Sequence, residues 1–128
     1  MVILKPEHAR AVGKGYVLAH ILIAEHVLGH PLPFGAEVHH VNKVRSDNRH
    51  ANLVICQSRA YHILLHQRQT ALSAGFQAHW RKCTLCQTYD APSNLRIDVH
   101  KLRSAYHLSC AAAQAKINYV KRMSHANA

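Results

Sequence analysis

One stretch of the chain decides the fold: residues 36–66 read AEVHHVNKVRSDNRHANLVICQSRAYHILLH. The segment from Ala36 to Val41 is typical of a short strand with its two valines buried. A polar segment without periodicity follows from Asn42 to Asn52, and Leu53 to Cys56 is a second β-type run. The two runs therefore predict a hairpin that is closed by a loop of about ten residues.

A helix is predicted directly after this hairpin. Ser58 suits the N-cap position, because its hydroxyl can accept a hydrogen bond from a backbone N–H of the first turn. Strong helix formers run from Arg59 to about Leu72, and Gly75 marks a stop.

A second helix is predicted upstream, from Tyr16 to Leu28, where apolar residues recur at helical spacing until Gly29 and Pro31. The first ten residues are expected to form a loose basic lead. The order is then helix, strand, long loop, strand and helix, which makes an α+β domain.

The charge of the chain favours a polyanionic partner. The 128 residues include 16 Lys and Arg against 6 Asp and Glu, for a net charge of +10. Such a field attracts nucleic acid first, with an anionic membrane surface as the competing reading. No apolar run approaches the roughly 18 residues of a membrane helix. The apolar run at the start of the chain is too short for the core of a signal peptide. We therefore expect a cytoplasmic protein with reduced cysteines.

The histidines of the hairpin and of the following helix form a candidate metal site. Histidine accounts for 13 of the 128 residues, so pairs arise by chance and only their context carries weight. Neighbours on a strand point to opposite faces unless the strand is ending there, as the following loop suggests. His39 and His40 could therefore take separate roles, one as ligand and one as base. His62 and His66 are four apart and share one helix face. Three imidazoles leave open positions on a metal, as catalysis requires.

A third histidine pair does not qualify as a metal site. His26 and His30 are also four apart. However, Gly29 precedes His30 and Pro31 follows it, so the helix is expected to end before His30 and the two side chains need not share a face. We interpret this pair as surface histidines.

The ordered motifs around these residues resemble HNH homing-type endonucleases, which are common in bacteriophages. The resemblance covers roughly residues 13–70. The motifs that carry it are Gly15-Tyr16-Val17, His20, Glu25, Leu28-Gly29-His30-Pro31-Leu32, Glu37-Val38-His39-His40-Val41, Asp47-Asn48-Arg49, Asn52-Leu53-Val54 and His62 with His66. The chain departs from the family where Asn42-Lys43 replaces an Asp-Gly turn and where His30 replaces a basic residue.

The resemblance implies a ββα-metal (His-Me finger) fold that hydrolyses DNA phosphodiester bonds with one divalent ion. It implies that His40 is the general base, and that Asn52 bonds across the loop to hold the His40 backbone. It also implies that His39, His62 and His66 are the metal ligands. Three imidazole ligands are compatible with Mg²⁺, Mn²⁺, Ni²⁺ or Zn²⁺.

The cysteines indicate a second metal site, downstream of the nuclease. Cys83 and Cys86 form one chelating hook, and His107 and Cys110 form another twenty residues later. This spacing is typical of a structural zinc site, with His100 and His79 as rival fourth ligands. Alternatively, Cys110 packs as a small apolar residue and the others are free thiols. Cys56 lies in the second strand and is expected to be buried.

We therefore expect two domains: an HNH nuclease domain at residues 1–75 and a basic zinc-binding module at 76–128. Residues 81–128 are predicted to be irregular between Cys83 and Cys110, with a closing helix from Ala111 to Met123. The module holds eight Lys and Arg against two Asp, so it adds DNA contacts or a dimerisation surface. The candidate contacts to double-stranded DNA are Lys43, Arg45, Arg49, Arg96, Lys101 and Arg103.

Three functions compete at this point. The first is a metal-dependent endonuclease, monomeric or homodimeric, and the second is a zinc-dependent DNA-binding protein without catalysis. His40 separates them, because a binding protein has no need of a base beside a metal ligand. A histidine-rich metal store, the third, would require neither Asn52 nor the hairpin.

Overall fold

The computed structural model describes residues 1–98, 100, 101 and 103–127. Within them, three α-helices and eight short strands form a mixed α/β chain, with the strands paired in two-stranded antiparallel sheets. The chain divides into two compact units, Met1–His62 and Ile63–Ala128, and the boundary lies inside the second helix. None of the helices described combines the length and apolar character needed to span a bilayer. The domain boundary after residue 75 stays a prediction.

The hairpin predicted from residues 36–66 is present. Strand β3 (Glu37–His40) pairs with β4 (Leu53–Cys56) in antiparallel register, with His39 opposite Val54 and His40 opposite Leu53. The prediction that both valines of the first strand are buried is wrong for Val41, which is 44% exposed. The reason is that the strand ends at His40, so Val41 already belongs to the loop.

The helix after the hairpin, α2, spans Arg59–Ser73 and confirms the predicted element. The Ser58 hydroxyl accepts a hydrogen bond of 3.3 Å from the Tyr61 backbone N–H, which satisfies one of the free donors of the first turn. Gly75, two residues after the end of the helix, takes a left-handed conformation with φ of 86°, as its predicted role as a stop requires.

The N-terminal predictions need correction. Helix α1 begins at Ala19 and ends at Leu28, as Gly29 predicts, but Tyr16–Leu18 forms a strand, β2, instead of the first helical turn. It pairs with β1 (Val2–Leu4), so the first ten residues are not a loose lead. Tyr16 and Val17 have the aromatic and β-branched side chains that favour strands, and the pairing buries Val17 completely.

A side chain from the same N-terminal segment reaches the entrance of the central hairpin. The Arg10 guanidinium donates to the carbonyl oxygens of Ala36 at 2.9 Å and Pro33 at 2.8 Å. Ala36 immediately precedes β3, so Arg10 fixes the chain where it enters the strand that carries the histidine pair.

The core of the first unit lies between α1 and the β3–β4 hairpin. Its buried members are small and aliphatic side chains, with partly buried neighbours from both elements: Ala24, Leu32, Ala36 and Val38, packed by Ile21, Leu53 and Ile55. Burial of such side chains is the main stabilising contribution in a domain of this size. This packing holds the hairpin against α1 and so fixes the position of the strand that carries His39 and His40.

The second unit contains most of α2, two short hairpins and a long helix. Strand β5 (Arg81–Lys82) pairs with β6 (Tyr89–Asp90), and β7 (Arg96–Ile97) pairs with β8 (Ala105–Tyr106). The expectation of an irregular segment from Cys83 to Cys110 is therefore wrong in part, because strands of two residues are too short to show a periodic pattern.

Helix α3 spans Leu108–Ala126 and is three residues longer at each end than predicted. Phe76 lies in a stack of aromatic rings in the second unit, with ring centroids 5.7 Å from Trp80 and 4.7 Å from Tyr89. The stack is a small apolar cluster in the unit that holds Cys83, Cys86 and Cys110. The sequence pattern did not reveal it.

Replacement of Gly15 by Ala should destabilise the N-terminal hairpin more than replacement of Gly13. Both glycines have positive φ, 92° and 57°, but a Cβ at Gly15 would lie 2.7 Å from the Cα of Pro6, whereas one at Gly13 would meet nothing within 4 Å. Both variants carry the cost of a left-handed alanine, about 1–2 kcal/mol. Urea unfolding should show a further loss for Gly15→Ala of at least about 1 kcal/mol. Equal losses would contradict the close approach of Pro6.

Candidate active site

His39 and His62 lie side by side between strand and helix. His39 is 2% exposed on β3, and its ring centroid is 5.2 Å from that of His62 in the first turn of α2. His66 follows one turn along the same helix. Each of the three offers a ring nitrogen within 4.8 Å of the others. Nitrogen donors of one ion at about 2.1 Å lie roughly 3–4 Å apart, so small side-chain movements would let them share a metal.

Glu37 orients one of these histidines, and the sequence analysis missed it. The His62 Nδ1–H donates to the Glu37 carboxylate at 2.6 Å, and Arg59 lies 3.5 Å from the other carboxylate oxygen. This bond leaves the lone pair of His62 on Nε2, where a metal can take it. A detectable signal did exist: Glu37 is two residues before His39 on one strand, so both side chains share a face.

His40 has different neighbours from those of His39. It is 8% exposed, and its Nε2–H donates to the side-chain oxygen of Asn48 at 2.9 Å. Its ring also meets that of His20 edge to face, with centroids 5.0 Å apart. The two adjacent imidazoles thus occupy separate environments, as alternation along the strand predicts.

His20 is a neutral neighbour of this pair. Burial lowers the pKa of His20 below its ordinary value, and the nearby His40 lowers it further. His20 is the second residue of α1, so the helix that packs on the hairpin also places the His20 ring against His40.

The Asn52 side chain bonds across the loop, to residues that follow His40. Its amide nitrogen donates to the Asn42 side chain at 2.8 Å and to the Asp47 carbonyl at 2.7 Å, and its oxygen accepts from the Asn42 backbone N–H at 2.9 Å. The partners of Asn52 lie beyond the strand end because the loop folds back over it. Asn52 therefore fixes the residues that follow His40.

The same loop holds an internal ion pair that involves one predicted DNA contact. Arg49 donates two hydrogen bonds to the Asp47 carboxylate, at 2.8 and 2.7 Å, and these hold the pKa of Asp47 well below its usual range. The Arg49 side chain is nevertheless 81% exposed, and Lys43 and Arg45 are exposed beside it.

Lys43 stands where the family has the glycine of an Asp-Gly turn, and its φ is 62°. Its N–H donates to the His40 carbonyl at 3.1 Å, and the neighbouring Val44 N–H donates to the Asn42 side chain at 2.9 Å. The departure from the family therefore keeps a left-handed turn, at the cost of strain that a glycine would avoid.

The predicted DNA contacts of the second unit are exposed as well. Arg96 lies on β7, and Lys101 and Arg103 line an open cavity together with His100. Among the described residues that line this cavity there is no carboxylate, and Lys101 and Arg103 make the lining positive.

The cysteines and His107 converge in the second unit. Cys83, Cys86, His107 and Cys110 each offer a ligand atom within 4.8 Å of the others. The Nδ1 atom of His107 lies 3.5 Å from the Cys86 sulfur and 3.7 Å from the Cys110 sulfur. Three sulfurs and one imidazole nitrogen match the donor set of a structural zinc site.

A carboxylate outside this cluster orients its histidine. The Nε2–H of His107 donates to Asp90 at 3.2 Å, so the lone pair on Nδ1 faces the thiols. Hydrogen bonds from Asn94 and the Ala91 backbone lower the pKa of Asp90 and keep it ionised. Asp90 stands behind His107 as Glu37 stands behind His62, and it too was missed from the sequence.

The thiols differ in ionisation. Burial acts to raise the pKa of Cys83, but hydrogen bonds from the backbone N–H groups of Cys86, His107 and Leu85 outweigh it and bring the pKa to about 6. A thiolate at neutral pH is the form that binds zinc. Burial raises the pKa of Cys56 in β4, which is buried as expected and stays a thiol.

Comparison with known proteins bears on the first of these sites. Residues 17–62 match the model of the family described as HNH endonuclease. The match supports an HNH nuclease domain. It contains the hairpin, the loop and the first three residues of the site, His39, His40 and Asn52, and it ends at His62. No curated protein and no solved structure matches the chain.

The family match bears on chemistry and partner in general terms. HNH nucleases are hydrolases that use divalent metals and act on DNA. The histidine cluster of this chain is compatible with such a metal, and the Cys/His cluster is compatible with zinc. The nitrogen donors of the first cluster and the thiolates of the second also differ in their metal preference, since soft sulfur selects zinc over magnesium.

Removal of the Asp90 carboxylate should weaken zinc binding without removing a ligand. Asp90→Ala deletes the acceptor of the His107 Nε2–H, and loss of such a partner lowers metal affinity on the order of 10–100-fold. Competition with a chromogenic chelator measures the zinc affinity. Asp98→Ala, which removes the same charge from the same unit, serves as the control. Equal affinities of the two variants would contradict the orienting role of Asp90.

Proposed function

We propose that the chain is a metal-dependent DNA endonuclease of the HNH homing type. His40 is the general base, and His39, His62 and His66 hold one divalent ion. The observation that carries the proposal is the separation of two adjacent imidazoles. The His39 ring lies against the helix histidine at 5.2 Å, whereas His40 bonds to the loop at 2.9 Å. A ligand and a base beside it are the combination that hydrolysis requires.

The reaction follows from these positions. His40 takes a proton from water, the water oxygen forms a bond to phosphorus, and the bond from phosphorus to the 3′ oxygen breaks. A bound divalent ion supplies stabilisation of the negative charge that grows on the phosphate and on the departing oxygen. Glu37 keeps His62 in the tautomer that binds metal through Nε2, and Asn52 holds the loop beside the base.

Double-stranded DNA is the proposed substrate. Exposed cations in the loop and in the second unit would contact phosphates, and Arg49 can do so while it stays paired with Asp47. Of the ten net positive charges, six lie in residues 81–128, which carry eight Lys and Arg against two Asp. The proposed DNA contacts are Lys43, Arg45, Arg49, Arg96, Lys101 and Arg103.

A structural zinc in the Cys83, Cys86, His107 and Cys110 cluster would stabilise the C-terminal module, for which residues 76–128 remain the proposed bounds. Beside its aromatic stack, the described part of the module fully buries only two small apolar residues, Cys83 and Ala105. Metal binding would therefore contribute much of its folding free energy. This cluster and the basic surface around it also suit the alternative function, a zinc-dependent DNA-binding protein that does not cleave.

Replacement of His40 by Ala should abolish cleavage and leave DNA affinity nearly unchanged. A general base contributes on the order of 10²–10⁴ in rate, and His40 makes no contact that this proposal assigns to DNA. Plasmid cleavage with Mg²⁺, Mn²⁺ or Ni²⁺ measures the rate, and a filter-binding assay measures affinity. The exposed His26→Ala serves as control. DNA binding by the parent chain without cleavage in any metal would favour the non-catalytic alternative.

The two metal sites should respond differently to chelation. Mild chelation should stop cleavage, and added Mg²⁺ or Mn²⁺ should restore it without refolding, because three ligands leave the ion exchangeable. Elemental analysis should find one zinc per chain after purification, and Cys83→Ser should remove it and lower the melting temperature. Absence of zinc, with four thiols titratable in the folded protein, would show that the cysteine spacing is coincidental.

A further inference from the structure

We infer that Asn48 is the positioning residue of the base, and that the atom of His40 that accepts the proton is Nδ1. The inference rests on the proposed function. It starts from the hydrogen bond of 2.9 Å between His40 Nε2 and the side-chain oxygen of Asn48. An amide oxygen can only accept, so Nε2 carries the hydrogen. A neutral imidazole has one N–H, and the lone pair is then on Nδ1.

A second contact holds the His40 ring. His20 meets it edge to face, with centroids 5.0 Å apart and planes at 85°. Rotation of the His40 ring about its bond to the backbone would break the bond to Asn48 and displace the ring from His20. With 8% of the residue exposed, little space remains for another orientation. The ring is therefore held in one orientation and one tautomer.

The loop in turn holds Asn48. The preceding residue, Asp47, receives hydrogen bonds from Arg49 and from Asn42 on its carboxylate, and its backbone carbonyl accepts from Asn52 at 2.7 Å. The partly buried side chain of Asn48 follows directly. Asn52 thus acts on His40 indirectly, because it holds the loop that presents Asn48 to the His40 ring.

Nitrogen-15 NMR of the full chain, without DNA and without added catalytic metal, tests the tautomer directly. The ring nitrogens of His40 are assigned by their loss in His40→Gln, at a pH above the ordinary imidazole pKa of about 6.5. The parent should show the Nε2–H tautomer. Asn48→Asp, which keeps an acceptor oxygen, should show the same tautomer, and Asn48→Ala should show a mixture. An Nδ1–H tautomer in the parent would overturn the inference, whether or not the protein cleaves DNA.

Steady-state kinetics test the functional consequence. Asn48→Ala should lower kcat on the order of tenfold to 100-fold, within the limit set by loss of the base itself, with KM near the parent value. Asn48→Asp should recover most of kcat, and Asn118→Ala on the exposed face of α3 is the control for an unrelated amide. A parent kcat in Asn48→Ala, or a loss in kcat that Asn48→Asp leaves unrepaired, would overturn the positioning role. Absence of cleavage by the parent would instead refute the proposed function.

Discussion

The alternation of side chains along a β-strand is the constraint on which the candidate site depends. Neighbouring residues of β3 must point to opposite faces, so His39 lies against His62 of the helix, while His40 meets His20 and the loop. Two adjacent imidazoles on a helix or in a flexible loop would have no such enforced separation. Pairing with β4 maintains the strand, and the core beneath it keeps the hairpin against α1.

A hydrogen-bond acceptor stands beside each of three histidines to which we propose a role. Glu37 accepts from His62, Asp90 accepts from His107, and Asn48 accepts from His40. Each acceptor selects one tautomer and so determines which ring nitrogen keeps its lone pair for a metal or a proton. The two carboxylates stand behind proposed metal ligands, whereas the neutral amide stands behind the proposed base.

The loop between the strands links these features through short polar contacts. Asn52 joins Asn42 to the Asp47 backbone, and Arg49 holds the Asp47 carboxylate. Such a network takes the place of a hydrophobic core in a segment that has little apolar surface to bury, because Asn42, Asp47, Arg49 and Asn52 bond to one another.

The sequence alone determined the hairpin, the helix that follows it and the order of the histidines. These features depend on local periodicity, on a serine cap and on glycine stops, which act within a few residues. It did not reveal the pairing of β1 with β2, because three-residue strands show no pattern and their partner lies more than ten residues away. Nor did it reveal the exposure of Val41, since that depends on where β3 ends.

Only the tertiary structure decided which side chains share a hydrogen bond. Glu37 with His62, Asp90 with His107 and Asn48 with His40 are 25, 17 and 8 residues apart. The resemblance to HNH endonucleases named Asn52 as a bond across the loop, and the structure identifies Asn42 and Asp47 as its partners. Residue types and spacing determine which groups are available for chemistry, whereas the path of the backbone between them decides which atoms meet.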